Sequence, residues 1–119
     1  MVQWRMGKVI SVVFYKSASN NEPVREWLKS LSKDDMRLIG EDIKTVEFGW
    51  PIGMPLAKSM GDSLWEVRTN LTDGKIARVL FVIEDGFMIL LHGFVKKDRK
   101  TPKKDLDLAK ARAKEMKGR

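Results

Sequence analysis

The sequence lacks several residue types, and each absence narrows the chemistry open to this chain. Its 119 residues include no cysteine, which excludes disulfide bonds, thiolate metal sites and cysteine nucleophiles. There is a single histidine, His92, so a site that needs two histidines is impossible. No apolar run approaches the roughly 20 residues of a membrane span, and the N-terminus has no signal-peptide pattern. We therefore expect a cytoplasmic protein without a membrane anchor.

Grouped carboxylates of the kind that bind metal ions are also missing from the sequence. Asp34 and Asp35 fit the first turn of a helix, and Glu41 and Asp42 fit its solvated face. The chain has neither a glycine-rich nucleotide-binding loop nor a Ser-His-Asp set that the spacing supports. We expect no metal ion and no small-molecule cofactor.

Positive charge is abundant, but it is concentrated at one end of the chain. Residues 1–95 carry 12 Lys or Arg and 12 Asp or Glu, whereas residues 96–119 carry 11 and 4. The second segment therefore accounts for the whole net charge of +7. Such asymmetry favours a partner such as nucleic acid, an acidic protein or an anionic membrane surface, although a solubilising tail has the same composition.

Residue patterns predict one α+β domain over residues 1–119, with elements in the order β-α-α-β-β-β-α. The predicted strands are Lys8–Tyr15, Leu64–Thr69, Lys75–Ile83 and Phe87–Lys97. The helix starts are marked by Asn21 with Pro23, by Ser32 with Asp35, and by Thr101 with Pro102. Prolines and glycines in Gly49–Gly61 predict a loop. We expect a four-stranded antiparallel or mixed sheet, a helical hairpin on one face and a basic C-terminal helix.

Side chains alternate along a strand, so residue parity sorts the last three strands into two faces. One face is entirely apolar and should pack against the helical hairpin; it comprises Trp65, Val67, Ala77, Val79, Phe81, Ile83, Ile89, Leu91 and Val95. The other face is apolar at one end and charged at the other, where Arg68, Arg78 and His92 lie.

Hairpin register decides whether these three side chains meet. We predict a three-residue loop in each hairpin, one ending at Gly74 and the other at Gly86. This register places Arg68, Arg78 and His92 in one row across three strands. Like charges directly opposite one another cost up to about 1 kcal/mol per pair, so such a row favours a bound anion such as phosphate.

Cations of this kind suit RNA cleavage, because RNA carries its own nucleophile, the 2′-hydroxyl. Cleavage needs a base near that oxygen, a cation for the developing negative charge and an acid for the 5′-oxygen. His92 or a lysine crowded by other cations can exchange the protons, whereas arginines bind and stabilise. The same residues equally suit a binding module, and Glu66 with Asp98 can also neutralise them as ordinary surface ion pairs.

Three segments of the sequence resemble one family of toxins. They are PLAKSMGDSLWEVR (55–68), IARVLF (76–81) and LLHGFVKKDRKTPKKDL (90–106). Together they are similar to the RelE/HigB superfamily, and in particular to the phage-derived HigB-like toxins of type II toxin–antitoxin modules. The last segment is the most specific, because its Leu-His-Gly-Phe-x-Lys-Lys run is followed by Thr-Pro and a basic helix.

The resemblance implies a RelE-like microbial ribonuclease fold, cleavage of mRNA on translating ribosomes and inhibition by a cognate helix-turn-helix antitoxin. The predicted catalytic residues are Arg68, Arg78, His92, Lys96 and Lys97. The predicted contacts with RNA or the ribosome are Lys58, Lys75, Phe94, Arg99, Lys100, Lys103 and Lys104. Some relatives have a C-terminal tyrosine that stacks on RNA or transfers a proton, and this sequence has no counterpart to it. Phe94 or His92 could substitute for it.

Two other functions are also compatible with the sequence. A catalytically silent nucleic-acid-binding module would use the same cations as a ribonuclease. A ParE-like toxin that inhibits DNA gyrase would share the fold, but a protein-binding relative has no need of clustered cations on the sheet.

Overall fold

The computed structural model describes residues 9–118, which form a five-stranded mixed sheet and three helices. The strands are β1 (Ser11–Phe14), β2 (Ala57–Gly61), β3 (Leu64–Asn70), β4 (Ile76–Glu84) and β5 (Phe87–Lys96). The helices are α1 (Pro23–Ser30), α2 (Lys33–Gly49) and α3 (Lys103–Lys117). The α+β class is confirmed, while the predicted first residue of the first strand, Lys8, lies outside the described residues. No helix within residues 9–118 combines the length and apolar character needed to cross a membrane.

The sheet has one strand more than predicted. Its order is β1-β5-β4-β3-β2, with β1 parallel to β5 at one edge and the other neighbours antiparallel. The additional strand is β2, which falls in the predicted loop and places Lys58 opposite Glu66. The prediction of a four-stranded sheet is therefore wrong. The sequence does not mark β2 as a strand, because Ala-Lys-Ser-Met-Gly lacks the β-branched and aromatic residues that are typical of strands.

The two-helix hairpin covers one face of the sheet, as predicted. Ser32 caps α2 by accepting a hydrogen bond from the backbone N–H of Asp35 at 3.1 Å. Helix α1 begins at Pro23, although Glu22 rather than Asn21 precedes it as the cap residue. The main core between hairpin and sheet includes Val24, Ile39, Ile43, Val46, Val67, Val79 and Phe81. Each such side chain contributes about 1.5–3 kcal/mol when fully buried, so this layer fixes which side chains point to the opposite face.

The β4–β5 hairpin departs from the predicted register. Its loop has two residues, Asp85 and Gly86, both with positive φ, rather than three. The prediction placed Ile89 and Leu91 on the face that packs against the helical hairpin. Because of the shorter loop, both side chains pack instead on the opposite face of the sheet. A β-bulge in β5, opposite the step from residue 80 to 81 of β4, then shifts the register by one more residue.

Helix α3 covers the apolar end of the opposite face, so that the fold has three layers. The apolar side of α3 packs into a second core, which includes Leu64, Leu80, Val82, Ile89, Leu91, Leu106, Ala109, Ala113 and Met116. Arg112 also donates a hydrogen bond to the carbonyl of Leu91 at 2.8 Å, next to the bulge. Helix α3 is therefore held by apolar packing and by a polar anchor where the strand ladder is interrupted.

Substituting Gly93 tests the packing between the hairpin and β5. A Cβ atom at this position would lie 2.4 Å from the ring of Trp27, so Gly93→Ala should lower the free energy of unfolding by about 1–3 kcal/mol. Gly40→Ala is the matched control, because a Cβ atom there meets no atom of the described residues within 4 Å and alanine favours a helix. Urea denaturation measures both variants, and equal stability of the two would contradict the close packing.

Candidate functional site

Two arginines face each other across β3 and β4, as the sequence predicts. The loop between these strands is Thr72–Gly74, and the backbone N–H of Leu71 donates to the carbonyl of Lys75 at 2.8 Å. Arg68 therefore pairs with Arg78. Because the neighbouring side chains on both strands enter the main core, the two cations lie side by side on the face away from the hairpin.

Glu66 is the counter-ion of this pair. Its side chain is fully buried, and its Oε1 accepts a hydrogen bond from Nε of Arg68 at 2.6 Å and lies 3.9 Å from Nε of Arg78. Its second oxygen, Oε2, accepts a hydrogen bond from the hydroxyl of Thr101. The arginine row is thus partly neutralised, but by a buried carboxylate rather than by an ordinary surface ion pair. Removing one partner from such a buried arrangement leaves uncompensated charge, which is costly.

Residues 97–102, which we call the connector, join β5 to α3 and cross over the arginines. Nη2 of Arg78 donates to the carbonyl of Asp98, and Nη2 of Arg68 donates to the carbonyl of Arg99 at 2.9 Å. Under this cover Arg78 has no exposed surface, whereas the side chain of Arg68 is 22% exposed. Arg78 therefore lies on the predicted face but is not open to a ligand in this structure.

The end of the connector is held by Thr101. Its buried hydroxyl donates to Glu66. Helix α3 begins at Lys103 after Pro102, and no side chain in the described part of the chain caps it. The predicted role of Thr101 as a helix cap is therefore wrong. Since α3 starts directly after this contact, Thr101 couples the position of the helix to the buried carboxylate.

Arg78 is an incompletely paired cation. Among the described residues its Nε and Nη1 have no hydrogen-bond partner. Burial lowers the pKa of its guanidinium, and Arg68 acts in the same direction, whereas Glu66 and Asp98 raise it. Cζ of Arg78 lies over the Phe94 ring, 5.9 Å from the ring centroid, within the range of a cation–π contact. Two charged donors without an acceptor destabilise this closed arrangement more than two neutral donors would.

His92 does not join the arginine row. It pairs with Leu80, two residues along β4 from Arg78, because the short turn and the bulge both shift β5. Its Nε2 lies 2.6 Å from Oδ1 of Asp105 in the first turn of α3, and its side chain is 16% exposed. The predicted row of Arg68, Arg78 and His92 is therefore wrong. Residue alternation gives the correct face of the sheet for His92, but the residue opposite it on β4 is Leu80 and not Arg78.

Phe94 takes the position opposite Arg78 that was predicted for the histidine. Its ring is half-buried and stacks on the ring of His92 with centroids 5.4 Å apart. It is therefore packed against its neighbours rather than presented to a base. Lys96 lies on the same face at the end of β5 and is half-buried, and Lys97 is exposed at the start of the connector.

An open groove of about 500 Å³ lies beside the covered arginine and collects four of the predicted cations. Its walls are formed by Lys58, Met60, Arg68, Arg99, Lys100, Thr101 and Leu106. None of these side chains is acidic, and Glu66 lies buried beneath them. Lys58 reaches the groove because β2 pairs it with Glu66, so the two share one face of the sheet. Within residues 9–118, no three His, Asp or Glu side chains gather into a group that could hold a metal ion.

Three other predicted contacts lie away from this groove. Lys75 is exposed beside the β3–β4 loop, and Lys103 and Lys104 are exposed in the first turn of α3. Lys103 also forms an ion pair with Asp107 at 3.1 Å. These lysines widen the positive surface without lining the groove.

Three residues that organise the site were not predicted in their observed roles. The sequence predicts Glu66 as part of a surface ion pair and Thr101 as a helix cap, and it predicts no role for Asp105. A signal for Glu66 exists in its spacing of two residues from Arg68, which puts both side chains on one face of β3. The contacts of Thr101 and Asp105 have no local signal, because they depend on the path of the connector.

These features define a small α+β protein with a buried arginine pair beside an exposed cationic groove. A family model described as phage-derived protein Gp49-like matches residues 26–114, about three quarters of the chain. The chain therefore belongs to the phage-derived Gp49-like family, a toxin-like family related to RelE and HigB. The predicted relationship is confirmed at this level, and assignment to the HigB-like branch stays a prediction. No curated protein matches the chain.

Neutralising Glu66 tests its role as the buried counter-ion. Glu66→Gln keeps the shape of the side chain but leaves two guanidiniums without a carboxylate, so the free energy of unfolding should fall by about 3 kcal/mol or more. Glu41→Gln is the control, because Glu41 pairs with Arg37 on an exposed helix surface and such pairs contribute less than about 1 kcal/mol. Urea denaturation measures both losses, and similar values would mean that Glu66 acts as an ordinary surface ion pair.

Proposed function

We propose that this chain is the toxin of a type II toxin–antitoxin module and that it cleaves mRNA on translating ribosomes. The observation that carries the proposal is the groove, where four cations converge and where the walls formed by residues 9–118 include no acidic side chain. Such a surface attracts the phosphates of single-stranded RNA. Arg68 supplies a partly exposed guanidinium there, with N–H groups beyond those bound by Glu66 and Arg99. Membership in a family related to RelE and HigB supports the same function.

The proposed reaction uses the 2′-hydroxyl of the RNA as the nucleophile. A base removes its proton and the 2′-oxygen attacks the adjacent phosphorus, while an acid protonates the 5′-oxygen as the bond from phosphorus to that oxygen breaks. The products are a 2′,3′-cyclic phosphate and a 5′-hydroxyl. Arg68 stabilises the negative charge that develops on the phosphoryl oxygens.

We assign the proton transfers to Lys58 and Lys100 rather than to His92. The histidine is engaged by Asp105 and is not one of the residues that line the groove. Lys58 and Lys100 line it and carry side chains that can exchange a proton, whereas the arginines there stay protonated. Which lysine acts as base and which as acid is decided by where the 2′-oxygen lies.

The ribosome and an antitoxin are the partners in this proposal. Residues 96–119 hold the whole net charge, and exposed lysines of the connector and α3 offer contacts to ribosomal RNA. The proposed inhibitor is a cognate helix-turn-helix antitoxin, as the resemblance to HigB-like toxins implies.

A second candidate function is a nucleic-acid-binding module without catalysis. The observation that favours it is that two of the five predicted catalytic residues are engaged within the protein. Arg78 is covered by the connector, and His92 is paired with Asp105. Such a module would bind RNA in the groove and leave it intact, so product formation separates the two functions.

Substituting Arg68 tests the proposed phosphate-binding residue in cells. Induction of the wild-type chain should create new mRNA 5′ ends and stop translation. Arg68→Ala should abolish both effects, because the phosphate loses the partly exposed guanidinium at the groove. Arg37→Ala is the matched control, since Arg37 is an exposed arginine on α2, across the sheet from the groove. Mapping of 5′ ends measures the effect. Unchanged cutting by Arg68→Ala would refute this site, and translation left intact by the wild-type chain would remove the toxin proposal.

Replacing Lys58 by arginine separates phosphate binding from proton transfer. Lys58→Arg keeps the charge but removes a group that can exchange a proton, so cleavage of ribosome-bound mRNA should slow by about 100-fold or more. Binding of a single-stranded 2′-deoxy oligonucleotide should stay close to that of the wild type. Lys29→Arg, at an exposed position on α1, is the control. Wild-type cleavage by Lys58→Arg would show that Lys58 moves no proton.

A further inference from the structure

The connector is tied to the sheet at three points, and two of them use its backbone. Arg78 and Arg68 donate to the carbonyls of Asp98 and Arg99. The third tie is the hydroxyl of Thr101, which donates to Glu66. The first two contacts use N–H groups of Arg78 and Arg68. The carbonyl oxygens of Asp98 and Arg99 therefore occupy the positions in which the oxygens of a bound phosphate would accept hydrogen bonds.

The closed connector leaves Arg78 poorly satisfied. Its Nε and Nη1 have no hydrogen-bond acceptor in the described structure, and its Nη2 binds a neutral carbonyl. The carboxylate of Glu66 lies 3.9 Å from Nε, beyond hydrogen-bond reach. A phosphodiester offers charged oxygens that can bind a guanidinium through two parallel hydrogen bonds, which are stronger than bonds to a neutral acceptor. Displacement of the connector by phosphate would therefore give Arg78 better partners than it has in the closed state.

We propose that Thr101 is a positioning residue that sets how often the connector opens and Arg78 becomes available to a phosphodiester of RNA. This inference rests on the RNA-binding part of the proposed function. Oε2 of Glu66 is buried in the closed state and accepts from Thr101. Without that hydroxyl the oxygen is an unsatisfied charged acceptor when the connector is closed, whereas water reaches it when the connector is open. Loss of the hydroxyl thus shifts the population towards the open state.

Opening moves Arg99 and Lys100, which line the groove in the closed state, but it adds the enclosed guanidinium of Arg78 to the surface that RNA meets. It therefore has a direct consequence for affinity. When only a fraction of the molecules is competent to bind, the apparent dissociation constant rises in proportion. Thr101→Val removes the hydroxyl while keeping size and charge, so it should tighten binding by increasing the competent fraction. A residue with a merely structural role would do the opposite, because its loss would disorder the groove.

The test measures binding of a fluorescent single-stranded 2′-deoxy oligonucleotide, which lacks the nucleophile and cannot be cut. Thr101→Val should bind about three- to tenfold more tightly than the wild type. Thr101→Ser restores the hydroxyl and should return the affinity towards the wild-type value. Thr72→Val, at an exposed position in the β3–β4 loop, is the control and should leave binding unchanged.

Hydrogen exchange in the free protein is the second readout. The amides of Asp105 and Leu106 donate to the carbonyl of Pro102 at the end of the connector, so their exchange should be faster in Thr101→Val than in Thr101→Ser, while amides of β4 keep their protection. Unchanged exchange in Thr101→Val, or binding equal to or weaker than that of the wild type, would overturn the proposal. If Thr101→Val binds more tightly but the wild-type protein does not cut RNA, the inference is supported and the proposed ribonuclease activity is refuted. Absence of binding by every variant would remove both the inference and the RNA-binding function.

Discussion

The buried carboxylate of Glu66 is the interaction on which the rest of the site depends. Register places two arginines side by side on β3 and β4, and their mutual repulsion would be unfavourable without an anion between them. Glu66 supplies that anion from within the sheet, accepting from Arg68 and facing Arg78. Its remaining oxygen binds Thr101, so the same carboxylate also fixes the connector and the start of α3.

This arrangement divides the arginine pair into two environments. Arg78 is enclosed, with two donors unsatisfied and a pKa lowered by burial, while Arg68 keeps part of its guanidinium at the groove. The groove is cationic because its acidic partner is buried beneath it rather than exposed in its wall. A surface that is positive towards solvent but neutralised from below can attract a polyanion and still allow the sheet to fold.

Local patterns in the sequence predict the helices, the packing of the helical hairpin on the sheet and the pairing of Arg68 with Arg78. These features follow from helix caps, from apolar residues at helical spacing and from a loop that ends at Gly74. The local patterns failed for His92, since a two-residue turn and a bulge each shift β5 by one residue. Together the shifts restore its predicted face but change its partner. They also failed for β2, whose residues gain their pairing from β3 rather than from strand propensity. The role of Thr101 depends on contacts between elements distant in sequence, which no local pattern encodes.

The chemistry of the RNA ends tests the central claim most directly. Ribosome-bound mRNA treated with the purified chain should yield upstream fragments that end in a 2′,3′-cyclic phosphate and downstream fragments that begin with a 5′-hydroxyl, since the 2′-oxygen is the proposed nucleophile. Fragments with a 3′-hydroxyl and a 5′-phosphate, or mRNA that stays intact, would contradict the account.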